Sequence, residues 1–89
     1  MSAQTTGPTG AGSAGPLDEH TRRRLVSAAD WTITAARRCY VPGGDPVPVT
    51  AADVVTRALD DGLAVDAETA GAMLAERLQL RGRFGLDPR

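Results

Sequence analysis

The chain has 89 residues, which is enough for one small domain. Ten arginines oppose eleven acidic residues, and the net charge of −1 excludes both a strongly basic nucleic-acid coat and a strongly acidic protein. The sequence has one cysteine and one histidine, too few for an internal disulfide or for the usual ligand set of a zinc site. We therefore expect no metal and no cofactor.

The N-terminal sequence has neither the basic start nor the apolar segment of a signal peptide. No apolar run approaches the roughly 18 residues of a membrane span. We expect a cytoplasmic protein with a free thiol and no membrane contact. All the basic residues are arginine, and alanine and glycine are abundant, which is typical of a bacterial chain from a GC-rich genome.

Residues 1–16 differ from the rest of the chain in composition. They carry no charged side chain, and Gly, Ser, Thr, Ala and Pro dominate. Such a segment buries too little apolar surface to offset the entropy lost on ordering. We predict a disordered tail over residues 1–16 and a single three-helix domain over residues 17–89.

The first predicted helix spans residues 17–40. Asp18 and Glu19 lie in its first turn and Arg37 and Arg38 in its last, the order of charges that the helix dipole favours. Apolar residues recur at steps of three and four, as expected for a buried helix face. They are Leu25, Ala29, Ile33, Ala36 and Tyr40, with Ala28, Trp31 and Ala35 in an adjacent stripe.

Two shorter helices follow a connector rich in proline and glycine. We predict them over residues 51–61 and 67–80, with Thr50 and Asp66 as their N-caps. The predicted buried positions are Val54, Val55, Ala58 and Leu59 in the first, and Ala70, Met73, Leu74 and Leu78 in the second.

Glycines after the two helices mark where they end. Gly62 supplies a left-handed stop for the first and Gly82 ends the second. Within the connector, residues 46–49 favour an extended conformation because proline restrains itself and its predecessor. The fold class predicted is all-α, with a long first helix and a helix-turn-helix-like pair.

Charge is spread unevenly along the chain. Residues 21–38 carry +4, residues 39–76 carry −6 and residues 77–89 carry +3. If the first helix meets the C-terminal region, their arginines form one basic patch suited to phosphates. The alternative is a solvated surface on which the arginines pair with the acids of the second helix.

Catalysis by a nucleophile would need a base beside it. The only histidine, His20, lies at a predicted helix end, and neither Ser27 nor Cys39 has a second base available. We therefore expect no enzyme and no catalytic residues. Cys39 lies at the border of the apolar face, where a buried structural cysteine is expected.

Trp31 lies in a run of small residues, which leaves two interpretations open. It is either part of the core, the favoured reading, or an exposed anchor for a partner. In the second case Trp31, Ile33 and Tyr40 would form an interface on the first helix.

The segment from Val49 onward contains a capped helix, a glycine-containing turn and a second capped helix. Its motifs are Thr50-x-x-Asp53-Val54, Glu68-Thr69-Ala70 and Leu78-x-x-Arg81-Gly82. Over residues 49–85 the chain resembles bacterial helix-turn-helix and winged-helix DNA-binding domains, and these residues carry the resemblance. The resemblance implies a base contact from Thr69. It also implies phosphate contacts from arginines of the first and third helices, namely Arg22, Arg23, Arg24, Arg77, Arg81 and Arg83.

An extended segment at residues 46–49 followed by two helices also resembles a ribbon-helix-helix unit, in which strands of two subunits pair. Pro46 and Pro48 argue against it, because proline removes donors from a strand ladder.

Two functions follow from these patterns. The leading expectation is a small DNA-binding regulator, acting as a dimer, with an arginine patch on phosphates. The alternative is a non-enzymatic protein–protein interaction module or accessory subunit that docks through the first helix. Arginines gathered on one face would favour DNA, and an exposed Trp31 would favour the interaction module.

Overall fold

A computed structural model of the chain describes residues 18–89, and the tail predicted over residues 1–16 lies outside this range. The described elements are α1 (Glu19–Cys39), β1 (Val47–Val49), α2 (Ala51–Asp60), α3 (Ala67–Arg81) and β2 (Leu86–Pro88). Three helices that all pack on one another dominate, which confirms the predicted all-α class. The one addition is a small parallel sheet of two strands packed on α1.

Each helix begins at a side chain that caps free backbone N–H groups. The Thr50 hydroxyl accepts from the Asp53 amide at 3.2 Å, and the Asp53 carboxylate accepts from the Thr50 amide at 3.0 Å, a reciprocal capping box. Asp66 caps α3 as predicted. Asp18 caps α1 rather than lying inside it, so that helix begins two residues later than predicted.

The helix ends follow the glycines. Gly62, with φ of 81°, lies just beyond the end of α2, and Gly82, with φ of 89°, ends α3. At the end of α2, Arg24 of α1 donates a hydrogen bond to the Asp61 carbonyl. This bond satisfies one of the carbonyls that a helix end leaves without a partner.

The sheet joins the connector to the C-terminus. Val47 lies opposite Leu86 and Val49 opposite Pro88; the Val47 amide donates to the Gly85 carbonyl at 2.9 Å. The extended conformation predicted for residues 46–49 is confirmed for Val47–Val49, whereas β2 was not predicted. One edge of β1 is paired with β2. At the opposite, unpaired edge the backbone of Pro48 faces outward, and proline has no N–H group to donate.

The core is aliphatic and lies where the three helices meet. Its largest fully buried side chains are Leu25, Ile33, Val49 and Val54, and Leu86 of β2 closes one end. The apolar positions predicted for α3 are all buried. Leu59 was predicted to be buried but is exposed, because α2 turns its Val54 and Ala58 side toward the core.

The C-terminal segment is held against the end of α1. Arg37 donates from Nε to the Phe84 carbonyl and from Nη2 to the Gly82 carbonyl, both at 3.0 Å. The rings of Tyr40 and Phe84 meet edge to face with centroids 5.4 Å apart. Gly85 lies under the Tyr40 ring, so a side chain at this position would clash with it.

We expect Gly85→Ala to destabilise the domain by about 2–4 kcal/mol, since a Cβ at this position would lie 2.8 Å from Tyr40 Cγ and the φ is +76°. Gly43→Ala is the matched control, because its φ is +87° and a Cβ there meets nothing within 4 Å. The control should cost only about 1 kcal/mol. Urea unfolding followed by circular dichroism measures both; equal losses would contradict the close packing on Tyr40.

Candidate functional site

Trp31 is exposed, which corrects the expectation that it belongs to the core. Its exposed fraction is 52%. The buried face of α1 centres on the direction of Leu25, and Trp31, six positions later, lies about 120° away from it around a helix of 3.6 residues per turn. Trp31 therefore points away from the α1 core face, although its neighbours in sequence are small and apolar.

The Trp31 ring is held by a cation. The Arg57 guanidinium of α2 lies over the ring, with its Cζ 4.3 Å from the ring centroid. The same guanidinium lies 3.5 Å from the Asp61 carboxylate, one helical turn further on. Arg57 thus orients the indole and has its own charge balanced within α2.

Beside Trp31 lies a groove of about 430 Å³ between α1, α2 and β1. The α1 wall is neutral and made of small side chains, with Trp31 at its edge. The strand contributes Val47 and Pro48, and the α2 wall is polar. The lining residues are Trp31, Thr32, Ala35, Ala36, Cys39, Val47, Pro48, Asp53, Thr56, Arg57 and Asp60.

Two carboxylates give the α2 wall its charge. Asp53 uses one oxygen in the capping box, and Asp60 makes no hydrogen bond or ion pair within residues 18–89. They are seven residues apart, which is about 10 Å along a helix and nearly the same face. The groove therefore has an apolar floor and a negative rim on one side.

Neither Asp53 nor Asp60 was predicted as a site residue. A signal was present: Asp60 and Asp61 lie at the C-terminal end of a helix, where the dipole disfavours negative charge. Carboxylates placed against the dipole indicate a role other than helix stability. Asp61 balances Arg57, and Asp60 faces the groove.

Of the three residues predicted as an α1 interface, the structure leaves Trp31 open to a partner. Ile33 is fully buried, because it lies four residues after Ala29 on the core face. Tyr40 is half-buried against Phe84 and Gly85. The predicted interface is corrected accordingly: Ile33 belongs to the core and Tyr40 supports the C-terminal segment.

Cys39 is exposed, not buried as predicted. It is the last residue of α1, two turns beyond Trp31 and on the same side of the helix, so it lines the groove. His20 is exposed in the first turn of α1, about 28 Å from Cys39 along the helix axis. Ser27 is also distant from His20, by about 10 Å along the axis. The three do not form a nucleophile and base.

The arginines predicted to contact phosphates are largely engaged inside the domain. Arg77 of α3 forms a two-point ion pair with Asp30 of α1, at 3.0 and 3.2 Å. Arg81 donates to the Asp30 carbonyl and to the Thr34 hydroxyl, both at 3.0 Å. These contacts join α1 to α3, and the single Asp30 carboxylate, which both arginines share, offsets one of their two positive charges.

The arginines at the start of α1 are similarly occupied. Arg22 pairs with Glu76 at 2.7 Å, Arg23 with Glu19 at 3.2 Å, and Arg24 donates to the α2 end. The carboxylates that pair with them come from α1 and α3. The alternative prediction, that the arginines pair with the acids of the second helix, is therefore wrong for these residues. Arg83 is exposed and makes no ion pair within the described part of the chain.

Thr69, predicted to contact a base, takes part in capping α3. Its hydroxyl donates to the Asp66 carboxylate at 2.6 Å, and its amide donates to the same group at 3.1 Å. These hydrogen bonds hold the pKa of Asp66 below its ordinary value of 3.8. The N-terminal turn of α3 therefore carries a firmly ionised carboxylate, which would repel a phosphate.

Within residues 18–89 no three His, Cys, Asp or Glu side chains are grouped closely enough to hold a metal ion. None of the described helices has the length and apolar character needed to cross a membrane. Comparisons of the chain with protein-family models, with curated proteins and with solved structures gave no match.

Trp31→Ala should lower the free energy of unfolding by about 1–2 kcal/mol, because only about half of the ring is buried and that half lies outside the core. Ile33→Ala, the nearby control, should cost about 2–5 kcal/mol, since Ile33 is fully buried. Urea unfolding at 222 nm compares the two. A loss at Trp31 as large as that at Ile33 would show that the tryptophan is a structural residue.

Asp30→Asn should destabilise the domain by about 1–3 kcal/mol, because it leaves the partly buried Arg77 without its anion. Glu76→Gln removes a more exposed pair, with Arg22, and should cost less than about 1 kcal/mol. The same urea titration tests both variants. Similar costs would contradict the assignment of Asp30 as the main polar link between α1 and α3.

Proposed function

We propose that this domain is a non-enzymatic protein–protein interaction module that docks a partner in the groove beside Trp31. The observation that carries the proposal is the half-exposed tryptophan at the edge of that groove, held in place by Arg57. Tryptophan and arginine are enriched among residues that dominate binding energy at interfaces. Here the two lie in contact before any partner arrives.

The exposed area of Trp31 is large enough to matter for binding. A tryptophan presents roughly 150–250 Å² to solvent when unfolded, so half exposure leaves about 100 Å². Burying that area contributes about 2.5 kcal/mol at 25 cal/mol per Å². Because Arg57 already restricts the ring, little rotamer freedom is lost on binding.

The arginine geometry favours an interaction module over a DNA-binding regulator. A phosphate contact would have to replace the ion pairs of Arg22 with Glu76 and of Arg77 with Asp30. If α3 were a recognition helix, its acidic N-terminal turn would enter the major groove, where carboxylates repel the nearby phosphates. DNA binding and dimer formation both stay predictions from the sequence pattern.

Affinity capture from bacterial lysate tests the proposal, with the full chain immobilised through an N-terminal tag. Trp31→Ala is the test variant. Leu80→Ala is the matched control, since Leu80 is an exposed apolar residue of α3 outside the groove. We expect a partner that wild type and the control retain and the Trp31 variant loses.

Capture by itself is not sufficient, so the partner is then purified and its Kd measured by calorimetry. Trp31→Ala should weaken binding at least about thirtyfold, as expected of a central interface residue. Capture of the same proteins by wild type and the Trp31 variant would contradict the proposal.

A further inference from the structure

The groove beside Trp31 also indicates what kind of partner it accepts, if the proposed interaction function is correct. Its charge comes from two α2 carboxylates, Asp53 and Asp60. Among the described residues that line the groove, the one cation is Arg57, which is balanced by Asp61 and covered by the Trp31 ring. The α1 residues described as lining the groove carry no charge; they are Trp31, Thr32, Ala35, Ala36 and Cys39. The rim is therefore negative, and a complementary partner carries positive charge.

The spacing of the carboxylates is that of two helical turns. Asp53 and Asp60 face the groove seven residues apart, about 10 Å along α2. A second helix lying along α2 would place two side chains that are also seven residues apart opposite them. The apolar residues of that helix at intermediate positions would then contact Trp31 and the alanines of α1.

An extended partner segment could not pair with β1 as an additional strand of the sheet. The Val47 amide donates to Gly85, and the Val49 carbonyl accepts from the Arg89 amide, so these residues direct their backbone toward β2. The unpaired edge of β1 presents Pro48, and Pro46 precedes it, and neither has an N–H group. An extended segment would lack donors along this edge.

We infer that the partner is an amphipathic basic helix, with Lys or Arg residues seven positions apart facing Asp53 and Asp60 and apolar residues between them packing on Trp31. A groove with an apolar floor and charged rim is a recurrent way of binding such helices. The charged rim selects among helices by favouring basic ones and repelling acidic ones.

Four designed peptides of about 15 residues test the inference against the full-length protein. The first is amphipathic, with leucines on one face and two lysines seven residues apart; the second has glutamates in place of the lysines. The third has the composition of the first in scrambled order. The fourth has a central proline, which prevents a helix. All lack tryptophan, so the emission of Trp31, the only tryptophan in the chain, reports binding.

The lysine peptide should shift the Trp31 emission and bind at least about tenfold more tightly than the glutamate peptide at low salt. The scrambled and proline peptides should not bind. Asp60→Asn should reduce the preference for lysine at least about threefold. Glu68→Gln is its control, since it removes an exposed acid of α3 that lies outside the groove, and it should leave the preference unchanged.

Equal binding of the lysine and glutamate peptides, lost in Trp31→Ala, would overturn the basic helix and leave the interaction function standing. Binding of the scrambled or proline peptide as tight as that of the first would overturn a helical partner. If no peptide binds, sedimentation of wild type and Trp31→Ala decides the occupant: self-association through Trp31 assigns the groove to a second copy. A monomer without peptide binding also overturns the inference, and the affinity capture then judges the interaction function separately.

Discussion

Four buried alanines lie where the three helices of this domain meet, and they limit the volume that the core can give to larger side chains. Ala28 and Ala29 of α1, Ala58 of α2 and Ala70 of α3 are all buried in the common core. Helices that meet at alanine leave no volume for an indole or phenol ring. Trp31 therefore lies on the surface, and the other two aromatic residues pack on each other outside the core.

Because the aliphatic core is thin, hydrogen bonds and ion pairs contribute a larger part of the free energy that holds the helices and strands together. Asp30 links α1 to α3 through two arginines, and Arg37 ties the C-terminal segment to the end of α1. The arginines therefore act mainly within the domain. The same contacts that hold α3 in place reduce the basic surface available to phosphates. Arginines that contacted DNA would have to give up contacts that stabilise the domain.

The groove is a product of three elements that are distant in sequence. Its apolar wall comes from the outer side of α1, its charged wall from α2 and its floor from a strand whose unpaired edge lacks donors. Small side chains on α1, such as Ala35, leave the space, and Trp31 marks its edge. In the docking function that we propose, the Arg57 contact with the Trp31 ring would lower the entropy cost of ordering the ring on binding.

Local chemistry determined the elements. The capping residues Thr50 and Asp66, the stops at Gly62 and Gly82 and the apolar spacing of α3 each act over a few residues, and the three helices follow from them. Tertiary structure alone decided β2, the exposure of Trp31 and Cys39, and the partners of the arginines. Helical periodicity relates the position of Trp31 to that of the buried residues, but which face of α1 is buried depends on the surfaces that meet across tens of residues, as do the strand pairing and the arginine partners.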